Sequence, residues 1–532
     1  MDAAAASNTA VLGAGGDRLS SLGDATLGHI LSFLPAAEAA RAAALSRRWR
    51  RIFPAAVHTL SFREAERPLS SGYKWFQLCD YCDRGEPWAP RFATRVSAAL
   101  LARSGAAAPL RALRVAFDEF GYKGGDARTA VDGWLSHAGG ALELDLCLDK
   151  EPICKHPYKL LLLPQSPAAE PALPAAIAAA AAAEHYPYPR PDEYVTPRSL
   201  FSSAVLRSLR LGGCRLDLPS AIALPSLDTL HLTRVTGPSD GGGGAVQRLV
   251  SACPRLAELT LEACRGLAEV AVHGARLRRL ALRCCHELAA VAADSSELRA
   301  FEYRGGVPAS PWFLSMEHPH KLSFCALDFC GEEPAAAPEL GFLQLFAGVE
   351  RLHLTSARLG RGVVGHGVFP SGIKFPAFPA LRNLELTGML PDGDAAAVAA
   401  VTRILERTPS LETLSLFFLP QPHPVTDRYY NDHADVETIH ASHKLRYDRH
   451  APLAVPEGEE ITCLREKMRE INLVHYQGAM AQRLLAKFLL RNAMVVDEVC
   501  CEFARGPLLI QNKLMEEIQG WVMNKSANMM FF

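Results

Sequence analysis

A six-residue apolar pattern, L-x-x-L-x-L, returns along most of this chain, and no other feature limits its fold so strongly. It reads LRSLRL from Leu206, LDTLHL from Leu227, LAELTL from Leu256 and LRRLAL from Leu277. LRAFEY follows from Leu298 and LSFCAL from Leu322, so these starts lie 21 to 29 residues apart. VERLHL from Val349, LRNLEL from Leu381 and LETLSL from Leu411 continue the series, and LRALRV from Leu110 precedes it. Alternating apolar residues make a short strand with one buried face. A single unit cannot bury that face alone, so successive units must stack.

The period is that of leucine-rich repeats. The expected architecture is an α/β solenoid, a horseshoe with short parallel strands inside and helices or irregular arcs outside. Cys214, Cys264, Cys285 and Cys330 each stand three residues after the last apolar strand position. A small thiol with a weak donor suits a buried bend there, which accounts for four of the 14 cysteines without redox chemistry or metal.

Composition narrows the function. With 532 residues the chain is too long for one ordinary core. Its formal net charge of −1 argues against a strongly basic nucleic-acid binder. No signal peptide and no membrane-spanning apolar run is read, so the cytoplasm or nucleus is expected. Cys79 and Cys82 form a lone C-x-x-C without the second pair of a zinc site. The histidines of residues 423–450 read as part of a solvated loop, and Gly241–Gly244 lacks the Lys-Ser/Thr of a phosphate loop. No metal, cofactor or catalytic residue is expected.

The chain divides as follows. Residues 1–16 read as disordered, 17–54 as a helical segment and 55–109 as a linker or start of the array. Repeats cover 110–419, with a low-complexity Ala/Pro insertion at 164–192. An irregular loop spans 420–462. Over 463–532, MREINL and VDEVCC restore the strand pattern, Leu484, Leu485, Phe488 and Leu489 line a helix, and Ile510, Leu514, Ile518 and Trp521 line a last one. The last units are expected to form a helical cap.

In the N-terminal segment, Leu27, Ile30, Leu31 and Leu34 share a helix face that Pro35 should end. An Ala-rich helix follows over about Ala37–Ala44. Ser46 then suits the N-cap of a third helix, lined by Leu45, Trp49, Ile52 and Phe53. This stretch resembles the F-box at Leu22, Asp24, Leu27, Ile30–Pro35, Arg41 and Leu45–Trp49, with Gly23 where the motif has proline. The tail, through Cys463–Gly478, Ala486–Ala493 and Gly520–Asn528, is similar to the FBD region of plant F-box/leucine-rich repeat proteins.

The resemblance implies a non-catalytic substrate-recognition subunit of an SCF-type E3 ubiquitin ligase. The F-box of such a protein docks on a Skp-type adaptor, and through it on cullin and RING subunits. The candidate adaptor contacts are Leu22, Leu27, Ile30, Leu31, Leu34, Pro35, Leu45 and Trp49. The helices need a core of their own, so Leu27, Ile30, Leu31, Leu34 and Trp49 are weighed between packing and contact, while the family pattern sets Leu22 and Pro35, at the helix boundaries, towards contact. Five arginines at 41, 47, 48, 50 and 51 read as a solvated face that an acidic adaptor would attract. Target binding is expected at the outward strand positions Arg210, His231, Thr260, Glu302, His353, Glu385 and Ser415. Their mixed charge suits a protein rather than nucleic acid or membrane. The other reading is a non-ligase repeat scaffold, or a small-molecule or peptide receptor, whose N-terminal helices are only a cap.

Overall fold

The computed structural model describes residues 19, 21–63, 90–103, 109–117, 125–148, 193–237, 243–274, 276–306, 308, 310, 312–329, 340–359, 376–390, 395–419, 444–447 and 461–532. The stretches 1–16 and 164–192 lie outside these, as do Cys79, Cys82, Cys330 and the loop histidines. Two compact units are present: residues 1–149 with 205–209, and residues 150–204 with 210–532.

The first unit opens with three helices, α1 (Asp24–Leu31), α2 (Ala36–Ala44) and α3 (Arg47–Ala56). Strand β1 (Thr59–Arg63), helix α4 (Pro90–Leu101), strand β2 (Ala112–Ala116), helix α5 (Gly125–His137) and strand β3 (Glu143–Cys147) follow. The strands are parallel, and Leu60, Leu113 and Leu144 occupy one buried row. The ladder of this unit begins at Thr59, within the stretch read as a linker or start of the array. The single pair Leu60 and Phe62 was too short a signal to be seen.

Helix α1 is also shorter than its apolar spacing predicts. It ends at Leu31, where the Ser32 hydroxyl donates to the Gly28 carbonyl at 2.8 Å and accepts from the His58 amide at 3.1 Å. Leu34 lies in the following turn. Ser46 does cap α3, accepting from the Arg48 amide at 3.2 Å.

The second unit carries β4 (Tyr194–Val195), β6 (Cys214–Arg215), β7 (Thr229–Thr233), β8 (Glu258–Glu262), β9 (Glu269–Val272) and β10 (Arg279–Arg283), while β5 (Ser208–Gly212) divides after Leu209, its last three residues in this unit. Then come β11 (Ala290–Ala293), β12 (Ala300–Gly305), β13 (Leu314–Met316), β14 (Phe324–Phe329), β15 (Arg351–Arg358), β16 (Asn383–Met389) and β17 (Thr413–Phe418). The tail adds β18 (Glu470–Tyr476), β19 (Glu498–Phe503) and β20 (Asn528–Phe531). Its helices are α6 (Gly243–Ser251), α7 (Ala395–Glu406), α8 (Thr462–Glu466), α9 (Met480–Asn492) and α10 (Leu508–Trp521).

Strands β7, β8, β10, β12 and β14 to β20 form one parallel ladder in that order, each bonded to the strands before and after it in the series. A smaller sheet orders β9, β11 and β13, and β4 pairs with β6. Leu230, Leu259, Leu280, Phe301, Cys325, Leu352, Leu384, Leu414, Ile471 and Val499 are in register and all at most 2% exposed. Each such side chain contributes about 1.5–3 kcal/mol by leaving water.

At the strand exits the backbone turns through positive φ at Gly213, Arg234, Ala263 and Cys284. The next residue points inward. There the Cys264 thiol donates to the Leu232 carbonyl, and the Cys285 thiol to that of Leu261, each at 3.6 Å. Cys214 is likewise buried at this position.

The tail does not end on a helix. α10 buries Leu514, Ile518 and Trp521, and β20 then pairs with β19 through Val499↔Met529. The expected helical cap is therefore corrected: the last described element is a strand, which the sequence NMMF hid because it lacks the leucine pattern. Residues 444–447, within the segment read as loop, lie on this tail. Leu445 and Arg446 donate backbone bonds to Arg505 and Gln477, and the Tyr447 hydroxyl donates to Glu517 at 3.0 Å. Among the described residues no helix is long and apolar enough to cross a membrane.

Candidate interaction surfaces

The three N-terminal helices have a small core and leave some large apolar side chains outside it. Leu27 and Leu31 are 0% exposed, and Ala39, Ala43 and Ile52 are buried too. Leu22, Ile30, Leu34 and Trp49 are half-buried. Pro35 is exposed and Leu45 is 88% exposed, so Leu45 does not line the inner side of α3 as expected. Phe33, absent from the expected contacts, is 75% exposed.

Large apolar side chains left in water on so small a unit mark a place where something binds. Charge is partly consumed within the unit. Arg48 bonds Asp24 at 2.7 Å and the Leu22 carbonyl, tying α3 to the start of α1, and Arg41 pairs with Glu38 at 2.8 Å. Arg47, Arg50 and Arg51 remain exposed. Nearby, His29 Nδ1 and His58 Nε2 share a hydrogen bond of 2.9 Å. Burial, then His29, Arg111 and Arg103, hold the His58 imidazole below its ordinary pKa.

On the second unit the ladder brings the expected outward residues into one row. His231, Thr260, Ala281, Glu302, Ala326, His353, Glu385 and Ser415 follow one another in register. Arg210 stands exposed on the neighbouring β5. Glu302 is gripped by Arg279 and by Arg283, the latter at 2.7 Å, and the two arginines cover Ala281, which is fully buried. The row runs on through Asn472, Cys500 and Met530, which the sequence reading did not include. Alternation within β18 and β19 was visible in sequence, so the first two were within reach. Among the described residues no group of three or more His, Cys, Asp or Glu is placed to hold a metal.

Two family models match these regions. The F-box domain model matches residues 19–54. The model of the leucine-rich repeats of the FBD-associated F-box protein At5g56370 matches residues 183–309. This chain carries an F-box and a leucine-rich repeat region. No curated protein matches it in sequence.

The F-box match coincides with α1–α3, and the repeat match covers β4 to β12. F-box domains generally bind Skp1-type adaptors and generally belong to non-catalytic subunits. The one departure from the motif, Gly23, is structurally mild. Gly23 is the N-cap of α1 with φ −67°, close to the angle a proline ring imposes, and an added Cβ would meet nothing within 4 Å. Gly23→Pro is expected to stabilise the F-box by about 0.4–1 kcal/mol through the unfolded chain. A higher urea midpoint would register the gain; a lower one would show that the site needs glycine.

Proposed function

We propose that this chain is the substrate-recognition subunit of an SCF-type E3 ubiquitin ligase and performs no catalysis itself. Its F-box docks on a Skp-type adaptor, which links it to cullin and RING subunits. The repeats hold a target protein for ubiquitylation, in the cytoplasm or nucleus. The FBD-like tail, residues 463–532, extends the repeats' ladder.

The observation that carries this reading is the exposed apolar set Phe33, Pro35 and Leu45 on a segment whose core is complete without them. With Leu22, Ile30, Leu34 and Trp49 at its half-buried margin, it forms the adaptor contact. The outward row Arg210, His231, Thr260, Glu302, His353, Glu385 and Ser415 is the target contact. The mild geometry of Gly23 supports this reading over that of a non-ligase scaffold.

The test is capture of a purified Skp-type adaptor by the full chain and by the variant Phe33→Asp/Leu45→Asp. Both sites are exposed, so the helical circular dichroism should survive. Adaptor capture should fall at least tenfold, because a carboxylate would enter an apolar interface. Undiminished capture by the variant would show that the adaptor, if bound, sits elsewhere.

A further inference from the structure

The outward face of the second unit's ladder changes its electrical character along its length. Three outward columns flank and separate the two buried positions of each strand. On β8, β10, β12 and β14 these columns hold Glu258, Glu262, Glu302 and Asp328 against Arg279, Arg283 and Arg304. Four carboxylates meet three arginines there, and among the described residues all of these carboxylates but Glu258 have a cationic partner. Glu302 takes two arginines, and Arg304 lies 3.2 Å from Asp328. Burial works against the Glu262 carboxylate, but the His231 hydrogen bond and the Arg283 charge hold its pKa below the usual value.

From β16 to β20 the same columns hold Glu385, Glu470, Glu498 and Glu502 and neither lysine nor arginine. Arg382 and Arg469, at the strand entrances, are occupied by Glu412 at 2.6 Å and Asp497 at 3.2 Å. His353 stands near Glu385 and His475 near Glu502. Glu470 and Glu498 have no cationic partner among the described residues, yet they face each other in register on adjacent strands. Like charges so placed are destabilising. Asn472 and Thr413 hold the Glu470 carboxylate at 2.8 and 3.4 Å, so it is not free to swing away. Burial, then Glu498, Glu470 and Glu502, push the Cys500 thiol up. Half-buried apolar pairs share this face: Cys500 with Met530, one outward position beyond Glu498, and Phe417 with Val474, two outward positions beyond Glu470.

We propose that the β17–β20 part of this face receives a basic, amphipathic segment of the target protein, with lysine or arginine at Glu470 and Glu498 and apolar side chains against Phe417 and Val474. This rests on the reading of the repeats as the target-binding part. It adds the chemistry of what they take. Two cations there would replace a like-charge contact by opposite-charge ones, and the apolar pairs would leave water together. A polyanion such as nucleic acid would meet three carboxylates instead.

The probe is a labelled peptide of alternating lysine and leucine, titrated by fluorescence anisotropy against the full chain at low and high salt. A glutamate–leucine peptide is the control. The lysine peptide should bind, weaken with salt, and bind Glu470→Gln/Glu498→Gln about tenfold more weakly. The double variant should unfold at the same or a higher urea concentration, since a repulsion has gone. Equal binding of both peptides, or undiminished binding to the variant, overturns the proposal. So does a destabilised variant, because the glutamates would then serve the fold. Adaptor capture by the same preparation separates the two readings: if it persists while the peptide result fails, only this proposal falls.

Discussion

Glu517→Ala should destabilise the tail by about 3 kcal/mol, because it strands a guanidinium inside the protein. Arg483 sits on α9 with its side chain 3% exposed, bonded twice to Glu517 of α10 at 2.6 and 2.9 Å. Its guanidinium also lies 4.8 Å over the Tyr447 ring, and the Tyr447 hydroxyl bonds the same carboxylate. Removing Glu517 deletes the carboxylate from both partners at once. Removing both charges, with Arg483→Met/Glu517→Ala, should recover most of the loss, since no buried ion then remains unpaired. Amide exchange across residues 508–521 would read both variants. Equal exchange in Glu517→Ala and the parent chain would mean that water reaches Arg483 and the pair is ornamental.

The second large effect lies in the F-box. Gly28 on α1 touches the end of α3 so closely that an added Cβ would stand 2.5 Å from the Ala56 Cβ and 2.7 Å from its carbonyl oxygen. Backbone is in the way, so rotamer changes cannot relieve the clash. Gly28→Ala must push the helices apart, at a cost of about 1–3 kcal/mol. The same shift strains the Ser32 hydroxyl bridge between Gly28 and His58. Adaptor capture should therefore drop along with the melting temperature, although Gly28 is buried. Gly28→Ala/Ala56→Gly should restore part of both, since it removes the nearest of the contacts. An unchanged melting temperature in Gly28→Ala would show that α1 and α3 separate at little cost.

Sequence periodicity was most informative where burial alternates most regularly. The strands at Leu230, Leu259, Leu280, Leu384 and Leu414 could be located to the residue, because the leucine pattern repeats from strand to strand in register. The inward thiols at Cys214, Cys264 and Cys285 were legible for the same reason: a bend repeated every turn imposes one residue size. What failed was local. Leu27 and Leu45 are both apolar in a helical pattern, yet one is wholly buried and the other almost wholly exposed. Periodicity assigns a face, whereas the number of helices available to cover that face decides burial, and here there are three short ones. Strand β20 and the seat of residues 444–447 depend on contacts made across the tail, which no local pattern encodes.

The in-register ladder also says how such a chain can change over generations. Each strand is bonded only to the one before and the one after, and every buried row is continued by the next period. Gaining or losing one whole period therefore lengthens or shortens the outward row while leaving the other strands in place. A one-residue insertion inside a strand does the opposite, because it swaps the inward and outward sets from that point. The reach of the surface can be altered by duplication, in steps of a complete period. Its chemistry can be altered independently, by point substitution at positions such as His231 or Glu470, which the core does not use.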